Sequence, residues 1–401
     1  MTSEWNHSTI NDVCVLVTDG SHSSPKSVND GKYMVSVKDF TDYGFDFTSC
    51  RMISNDDYET LKRNGCVPQI DDILIGKDGA RFFEDIIIYR QREKPALLSS
   101  IAILRCDKSK ILPDFLYYVL RTPSFRQDVK DNYGSGSAIP RIILKDFKRM
   151  MVSYPTLEKQ QAIISVLTAI DSKIQANTEI NDNLEQQAQA FFQELFVDNA
   201  DSEWAIGTIS DLGAVVGGST PSKAKPEYYT ETGIAWITPK DLSVNKSKFI
   251  SHGENDITEL GLKNSSATIM PEGTVLFSSR APIGYIAVAA GEVTTNQGFK
   301  SIVPKPEIGT AFVYYFLKHN LPIIEGMASG STFKEVSGST MKGVPAVIPD
   351  TDTIARFNDF CSPIFAQQRI LEEQNQSLAA LRDDLLPKLM SGEIDVSAVQ
   401  L

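Results

Sequence analysis

From residue 156 the hydrophobic pattern takes on a helical period. Positions 160, 163, 167, 170, 174, 177, 181, 184, 188, 191 and 195 alternate steps of three and four, the spacing that keeps one seam of a helix turned toward a partner. They hold Gln160, Ile163, Leu167, Ile170, Ile174, Asn177, Asn181, Leu184, Ala188, Phe191 and Leu195. The same spacing returns from residue 354 with Ile354, Phe357, Cys361, Ile364, Gln368, Leu371, Asn375, Leu378, Arg382, Leu385 and Leu389. The two ladders predict two long helices forming a coiled coil, each seam running for about three heptads. Asn181 and Asn375 occupy equivalent ladder positions, where a polar residue costs stability and fixes register. Pro363 falls inside the second ladder, so that helix is expected to begin near it or to kink there.

Ahead of each ladder the pattern is different. Short apolar runs, Asp72-Ile73-Leu74-Ile75, Ile86-Ile87-Ile88-Tyr89 and Ile101-Ala102-Ile103-Leu104, are separated by Gly, Asp and Lys and read as strands. The second half repeats them as Thr274-Val275-Leu276-Phe277, Tyr285-Ile286-Ala287-Val288 and Lys300-Ser301-Ile302-Val303. Phe115-Leu116-Tyr117-Tyr118-Val119-Leu120 recurs as Phe312-Val313-Tyr314-Tyr315-Phe316-Leu317, one amphipathic helix per copy. Ser135-Gly136-Ser137 recurs as Ser329-Gly330-Ser331, Tyr154-Pro155 as Ile348-Pro349, and Trp5 and Trp204 stand near the start of each copy. The chain is therefore written twice. The expected architecture is two mixed α/β (α+β) globular domains, residues 1–155 and 200–350, alternating with helices at 156–199 and 351–401. If those helices pair antiparallel, internal pseudo-two-fold symmetry follows, and a helix of about 40 residues makes a rod about 60 Å long. Such a molecule suits a target with two halves, of which duplex DNA is the commonest. A simple dimerisation coiled coil is the alternative for the helices alone.

The net charge of −12 argues against nucleic acid if taken globally, but its distribution changes the picture. Residues 1–155 carry 21 basic and 21 acidic groups, and residues 200–350 carry 12 and 15. The helical segments carry 2 against 7 and 4 against 8. Residues 121–149 hold seven basic groups and three acidic ones. Acid on the helices and base on the globular parts point to protein contacts at the former, with Glu185 and Glu194 as exposed docking charges, and phosphate contacts at the latter. Plain solvated faces are the alternative. The five cysteines lack C-x-x-C spacing, no apolar run reaches the roughly 20 residues of a membrane span, and Met1-Thr2-Ser3-Glu4-Trp5 shows neither the basic nor the apolar stretch expected of a signal peptide. A reducing cytoplasm is the expected compartment.

Val166-Leu167-Thr168-Ala169-Ile170-Asp171-Ser172-Lys173-Ile174, followed by Asn177, Ile180-Asn181, Leu184-Glu185 and Phe196, resembles the central conserved region of type I restriction–modification specificity subunits. The stretch from Leu381-Arg382-Asp383-Asp384 to Gly392-Glu393-Ile394 resembles their C-terminal conserved region, and the Asp19-Gly20-Ser21-His22 turn resembles the start of many of their target recognition domains. The resemblance implies a chain without a catalytic centre. It implies binding of a bipartite double-stranded DNA sequence, one half per recognition domain. Two methyltransferase (modification) subunits would dock on the helices and methylate adenine with S-adenosylmethionine, and restriction subunits would join them. S-adenosylmethionine, ATP and Mg would belong to those partners, with no cofactor in this chain. Consistently, the sequence holds no G-x-x-x-x-G-K-[ST] loop, no Asn/Asp-Pro-Pro-Tyr stretch, and no metal-ligand spacing among His7, His22, His252 and His319. A stand-alone coiled-coil DNA-binding regulator is the competing reading.

DNA reading needs cations for phosphates and exposed amides, hydroxyls or guanidinium groups for base edges. Three regions of the first copy qualify. They hold His22 and Lys26, then Lys77 and Arg81, then Ser135, Ser137, Arg141 and Lys145. The matching regions of the second hold Thr220, Ser222 and Lys223, then Arg280, then Ser331 and Lys334. Asn296 and Gln297 add amides able to pair with adenine. His22 has an equally simple role in holding its turn.

Overall fold

The computed structural model describes residues 5–134, 140–330 and 334–396. It divides into two compact units, Met1–Ser172 with Leu378–Leu401, and Lys173–Ser377. These units cut across the four consecutive segments expected from the sequence. The helix Leu157–Gln193, which ends in a π-turn at Glu194–Asp198, begins in the first unit and finishes in the second. The helix Thr351–Ser391 does the reverse. The reason is burial. Ile163, Leu167, Leu386 and Leu389 belong to the core of the first unit, while Ala188, Leu195, Ile354, Phe357, Cys361 and Ile364 belong to that of the second. An apolar stripe forms a cooperative unit with whatever covers it.

In the first unit, strand Cys14–Asp19 lies beside Ile101–Cys106, then Ile73–Gly76, then Ile86–Ile88, all antiparallel. A separate ribbon pairs Asn6–Thr9 with Met151–Tyr154. The second unit has the same order, Gly213–Gly217, Lys300–Pro304, Val275–Ser279 and Ile283–Ala289, with Phe249–Ile250 added parallel at the far edge. Its ribbon pairs Ala205–Thr208 with Pro345–Ile348. Between ribbon and sheet each unit makes one helical turn with the same capping box, Thr9 with Asp12 and Thr208 with Asp211. The sequence repeat is a repeat of topology.

Both sheets are covered on both faces, which is why their strands read as unbroken apolar runs. Ile73 and Ile75 point into one core cluster and Leu74 into another. Val275 and Phe277 likewise oppose Leu276. One face packs on the Tyr-Tyr helix, Pro113–Arg121 or Thr310–His319, and through it on the long helices. In the second unit this helix is not amphipathic as expected. Ala311 to Leu317 are all buried, because sheet and helix pair enclose it.

Every ladder position named above is buried or half-buried. Within the second unit Asn177 Nδ2 donates to Asn375 Oδ1 at 2.9 Å and Asn181 Nδ2 to Glu372 Oε1 at 3.2 Å. Within the first, Arg382 Nη1 meets Asp171 Oδ1 at 3.0 Å. One helix number rises as the other falls, so the pairing is antiparallel. The two equivalent asparagines therefore do not face each other, and Asn375 meets Asn177 instead of Asn181. Pro363 neither starts nor interrupts the second helix. That helix begins at Thr351, capped by Asp350, which accepts from Thr353 N at 2.8 Å. Pro363 lies on its exposed side, and the buried Phe357, Cys361 and Ile364 around it offset the missing backbone hydrogen bond.

Glu185 is not an exposed docking charge. It is half-buried in the second unit, ion-paired to the buried Lys248 and the exposed Lys318 and accepting from Tyr315 Oη at 2.8 Å. Lys248 Nζ also donates to Gln368 at 2.6 Å and lies 4.3 Å from the ring centre of Phe365 and 4.7 Å from that of Tyr314. Glu372 accepts from the backbone N of Lys248 at 2.8 Å and of Phe249 at 3.0 Å, pinning the edge strand to the helix. Burial alone would push the Glu185 carboxyl up, but Lys248 and Lys318 outweigh it and hold it at about 2. A depressed carboxylate stabilises the fold above its ordinary pKa of 4.5, and that contribution is lost as pH falls toward 2. Glu185→Gln is expected to destabilise the second unit by roughly 3 kcal/mol at neutral pH, since it strands a buried ammonium. The deficit should shrink as pH falls below 4.5, read by thermal unfolding of both proteins across pH; a constant deficit would contradict the pairing.

Candidate nucleic-acid interface

The turn that leaves the first strand of each sheet is built the same way. In the first unit it is Asp19-Gly20-Ser21-His22, in the second Gly217-Gly218-Ser219-Thr220. Ser21 N donates to Leu97 O at 2.7 Å, and Ser219 N to Thr295 O at 2.8 Å. A Cβ at Gly20 would come within 2.3 Å of Leu97 O, and one at Gly218 within 2.0 Å of Asn296 O. Only glycine permits that backbone approach.

A second correspondence follows. Lys77 N donates to Ser100 O while Lys77 O accepts from Ile142 N, and Ser279 N donates to Gly298 O while Ser279 O accepts from Val336 N. The first unit thus brings together two regions picked out as candidates, 77–81 and 140–145, and the second brings 278–280 against Val336, two residues beyond the candidate Lys334. In the first unit Asp78 bridges to Arg141 and Gly79 N donates to Pro140 O at 2.9 Å.

The equivalent positions carry different chemistry. In the first unit Lys77 is buried, 3.4 Å from Asp19 and 3.6 Å from Asp78. It is therefore not the exposed phosphate anchor expected from the sequence. Asp19, only 8% exposed, requires a cation beside it, and Lys77 supplies that charge. In the second unit the pair is replaced by Gly217 and the buried neutral Ser279, whose Oγ donates to Gly298 O at 3.0 Å. His22 is exposed and leans on Asp19 at 3.3 Å. Lys26 and Lys145 are exposed, Arg81 is exposed and paired with Asp85 at 2.7 Å, and Arg141 is exposed beside Asp78. Ser135, Ser137 and Ser331 lie outside the described residues.

The second unit gathers Thr220, Lys223, Arg280, Asn296 and Gln297 around one cleft of about 660 Å³. Thr220 hydrogen-bonds to Gln297 Oε1, and Asn296 Oδ1 accepts from Gly298 N at 2.8 Å. Among the described residues neither amide NH₂ group has an acceptor, while both carbonyl oxygens are engaged. Lys223 is exposed and Arg280 half-buried, 3.5 Å from Glu335. Ser222 and Lys334 are exposed on the neighbouring loops. The cleft also contains residues that the sequence did not single out. Trp236 Nε1 donates to Ser219 O at 3.0 Å and its ring lies 5.6 Å from Tyr229. Lys240 pairs with Glu254 at 2.6 Å. Trp236 sits in the short apolar run Ile234-Ala235-Trp236-Ile237, which carries no signal of a binding residue. Its placement follows from parallel pairing of Trp236–Ile237 with Thr294–Thr295, a contact between distant segments.

The model of the type I restriction modification DNA specificity domain matches the sequence twice, over residues 2–186 and 201–380. The chain belongs to this family. Its duplicated units are the two DNA target recognition domains of a type I restriction–modification specificity protein. The MjaIX specificity subunit of Methanocaldococcus jannaschii is 39% identical over 191 residues, covering 45% of this chain and 44% of that protein. The HindI specificity subunit of Haemophilus influenzae is 24% identical over 371 residues, covering 73% of this chain and 80% of that one. The crystal structure of the S subunit from M. genitalium aligns with a TM-score of 0.59 at 16% identity, over 97% of this chain and 96% of that one, and shares the fold. Among the described residues no helix is long and apolar enough to cross a membrane.

The buried and exposed cations of the first recognition domain should behave differently. Lys77→Met, which leaves Asp19 buried without a counter-charge, is expected to lower unfolding free energy by about 3 kcal/mol. Arg81→Ala, at a surface pair, should change it by less than about 1 kcal/mol. Denaturant unfolding of the two variants checks this, and equal effects would mean that Lys77 is solvated after all.

Proposed function

We propose that the chain is the non-catalytic sequence-specificity subunit of a type I restriction–modification enzyme. It binds a bipartite double-stranded DNA target, one half-site per recognition domain. The paired helices set the interval between half-sites and dock two methyltransferase subunits, which restriction subunits then join. S-adenosylmethionine, ATP and Mg are held by those partners, and the complex works in the cytoplasm. The observation that carries this reading is the repeat itself: two copies of one scaffold present the same pair of loops with different side chains. A duplicated scaffold suits a split target, and differing loop chemistry suits two unlike half-sites. The surplus of acid on the helices, set against balanced recognition domains, supports a division between protein and phosphate contacts.

Light scattering of the chain with its cognate modification subunit, followed by methylation sequencing of DNA treated with the mixture, tests the reading. Two modification subunits per chain and methylation of a split motif are expected. Tight DNA binding by the chain alone, with no complex and no methylation, would instead establish an independent DNA-binding regulator.

Two sets of variants probe the loops. Arg141→Ala and Lys145→Ala should each weaken binding across all sequences and reduce the salt slope by about 1, as the loss of one phosphate contact does. Asn296→Ala with Gln297→Ala should relax the second half of the methylated motif and leave the first intact, with roughly 1–3 kcal/mol of discrimination lost per bidentate contact. Relaxation of the first half would assign the domains the other way round.

A further inference from the structure

The first unit holds a cleft of about 340 Å³ that none of the candidate DNA-contact residues lines. Arg121, Arg126 and Arg382 line it together with Tyr118, Leu386 and Asp383. Arg382 is neutralised, since it meets Asp171 at 3.0 Å and Asp383 at 2.8 Å. Arg121 and Arg126 are not. Among the described residues neither forms an ion pair. Arg121 lies over the ring of Tyr117 at 4.8 Å, and Arg126 donates only to the backbone O of Glu84 at 3.2 Å. Arg126 Nε is shut off from solvent with no acceptor. Burial and the neighbouring Arg121 push the Arg126 guanidinium below its ordinary range. Half-buried positive charge without a counter-ion is costly, and proteins retain it where an anion arrives.

We infer that this cleft receives an acidic side chain of the docked modification subunit, the inference resting on the partnership proposed above. Two features favour a protein carboxylate over a DNA phosphate. Tyr118 and Leu386 give the cleft apolar walls that fit the aliphatic stem of Glu or Asp. On the helix that forms one wall, Asp383 and Asp384 are both exposed. Duplex DNA carries about one charge per 1.7 Å of axis and would bring several phosphates past them. One carboxylate carries a single charge, and a guanidinium pair can grip it with parallel N–H···O bonds.

Arg121→Gln combined with Arg126→Gln removes both unpaired charges at nearly constant size, and Arg121→Lys keeps the charge as a folding-neutral comparison. Association with the modification subunit is measured by sedimentation at two salt concentrations, and DNA affinity at saturating modification subunit. The double variant is expected to associate about tenfold more weakly, with a smaller salt dependence, while Arg121→Lys retains most of the affinity and DNA affinity is unchanged. Unaltered association would overturn the assignment. So would intact association with weakened DNA binding, which would make the cleft a phosphate site. Failure of the unmodified chain to associate with a verified cognate subunit would overturn the function proposed above, an outcome distinct from a null result confined to the variants.

Discussion

Burial of the helix seams is the constraint on which the rest of this structure depends. Each long helix carries an apolar seam that is unfavourable in water, and parts of each seam are covered by the core of a recognition domain as well as by the other helix. In each unit the helix segments join a globular core, through Leu167 and Leu389 in the first and through Phe357 and Ala188 in the second. The recognition domains are therefore folded onto the helices and share their cores with them. Folding of either unit requires half of each helix, which places residues distant in sequence under one cooperative transition.

Polar chemistry adds specificity to this apolar frame. The Asn177–Asn375 contact and the Asn181–Glu372 contact have partners only in the observed register. Lys248, enclosed by Phe365, Tyr314 and Tyr315 and neutralised by Glu185, ties the edge strand of the second sheet to the helix pair. A slip of either helix would leave that ammonium buried and unpaired, at a cost of several kcal/mol. The acidic surplus of the helical segments is thus partly internal.

The two recognition domains show how one scaffold supports two specificities. The glycine turn, the capping box and the strand order are common to both. The side chains that the scaffold presents are not: a buried Asp19–Lys77 pair in one copy corresponds to Gly217 and Ser279 in the other. The backbone hydrogen bonds that hold the loops together do not depend on side-chain identity, so the loops can change their chemistry while the frame persists.

The sequence by itself determined the elements with strong periodicity. Both ladders, the six central strands and the duplication were legible because period 3.5 and short bounded apolar runs report directly on which residues are shielded from water. The meeting of candidate loops within each copy was not legible there; it rests on backbone hydrogen bonds between distant segments. What only the tertiary structure decided was which partner each polar group meets. Asn375 faces Asn177 because the helices run antiparallel, and equivalence in sequence does not imply adjacency there. Lys77 and Glu185 look like surface charges in one dimension, yet each is drawn inside by an opposite charge contributed from a distant segment. Trp236, which the sequence reading did not single out, is buried and lines the cleft because Trp236–Ile237 pairs with Thr294–Thr295. Local periodicity is fixed by burial averaged over a few turns. Individual ion pairs and cleft residues depend on contacts between segments far apart in the chain, which no local pattern encodes.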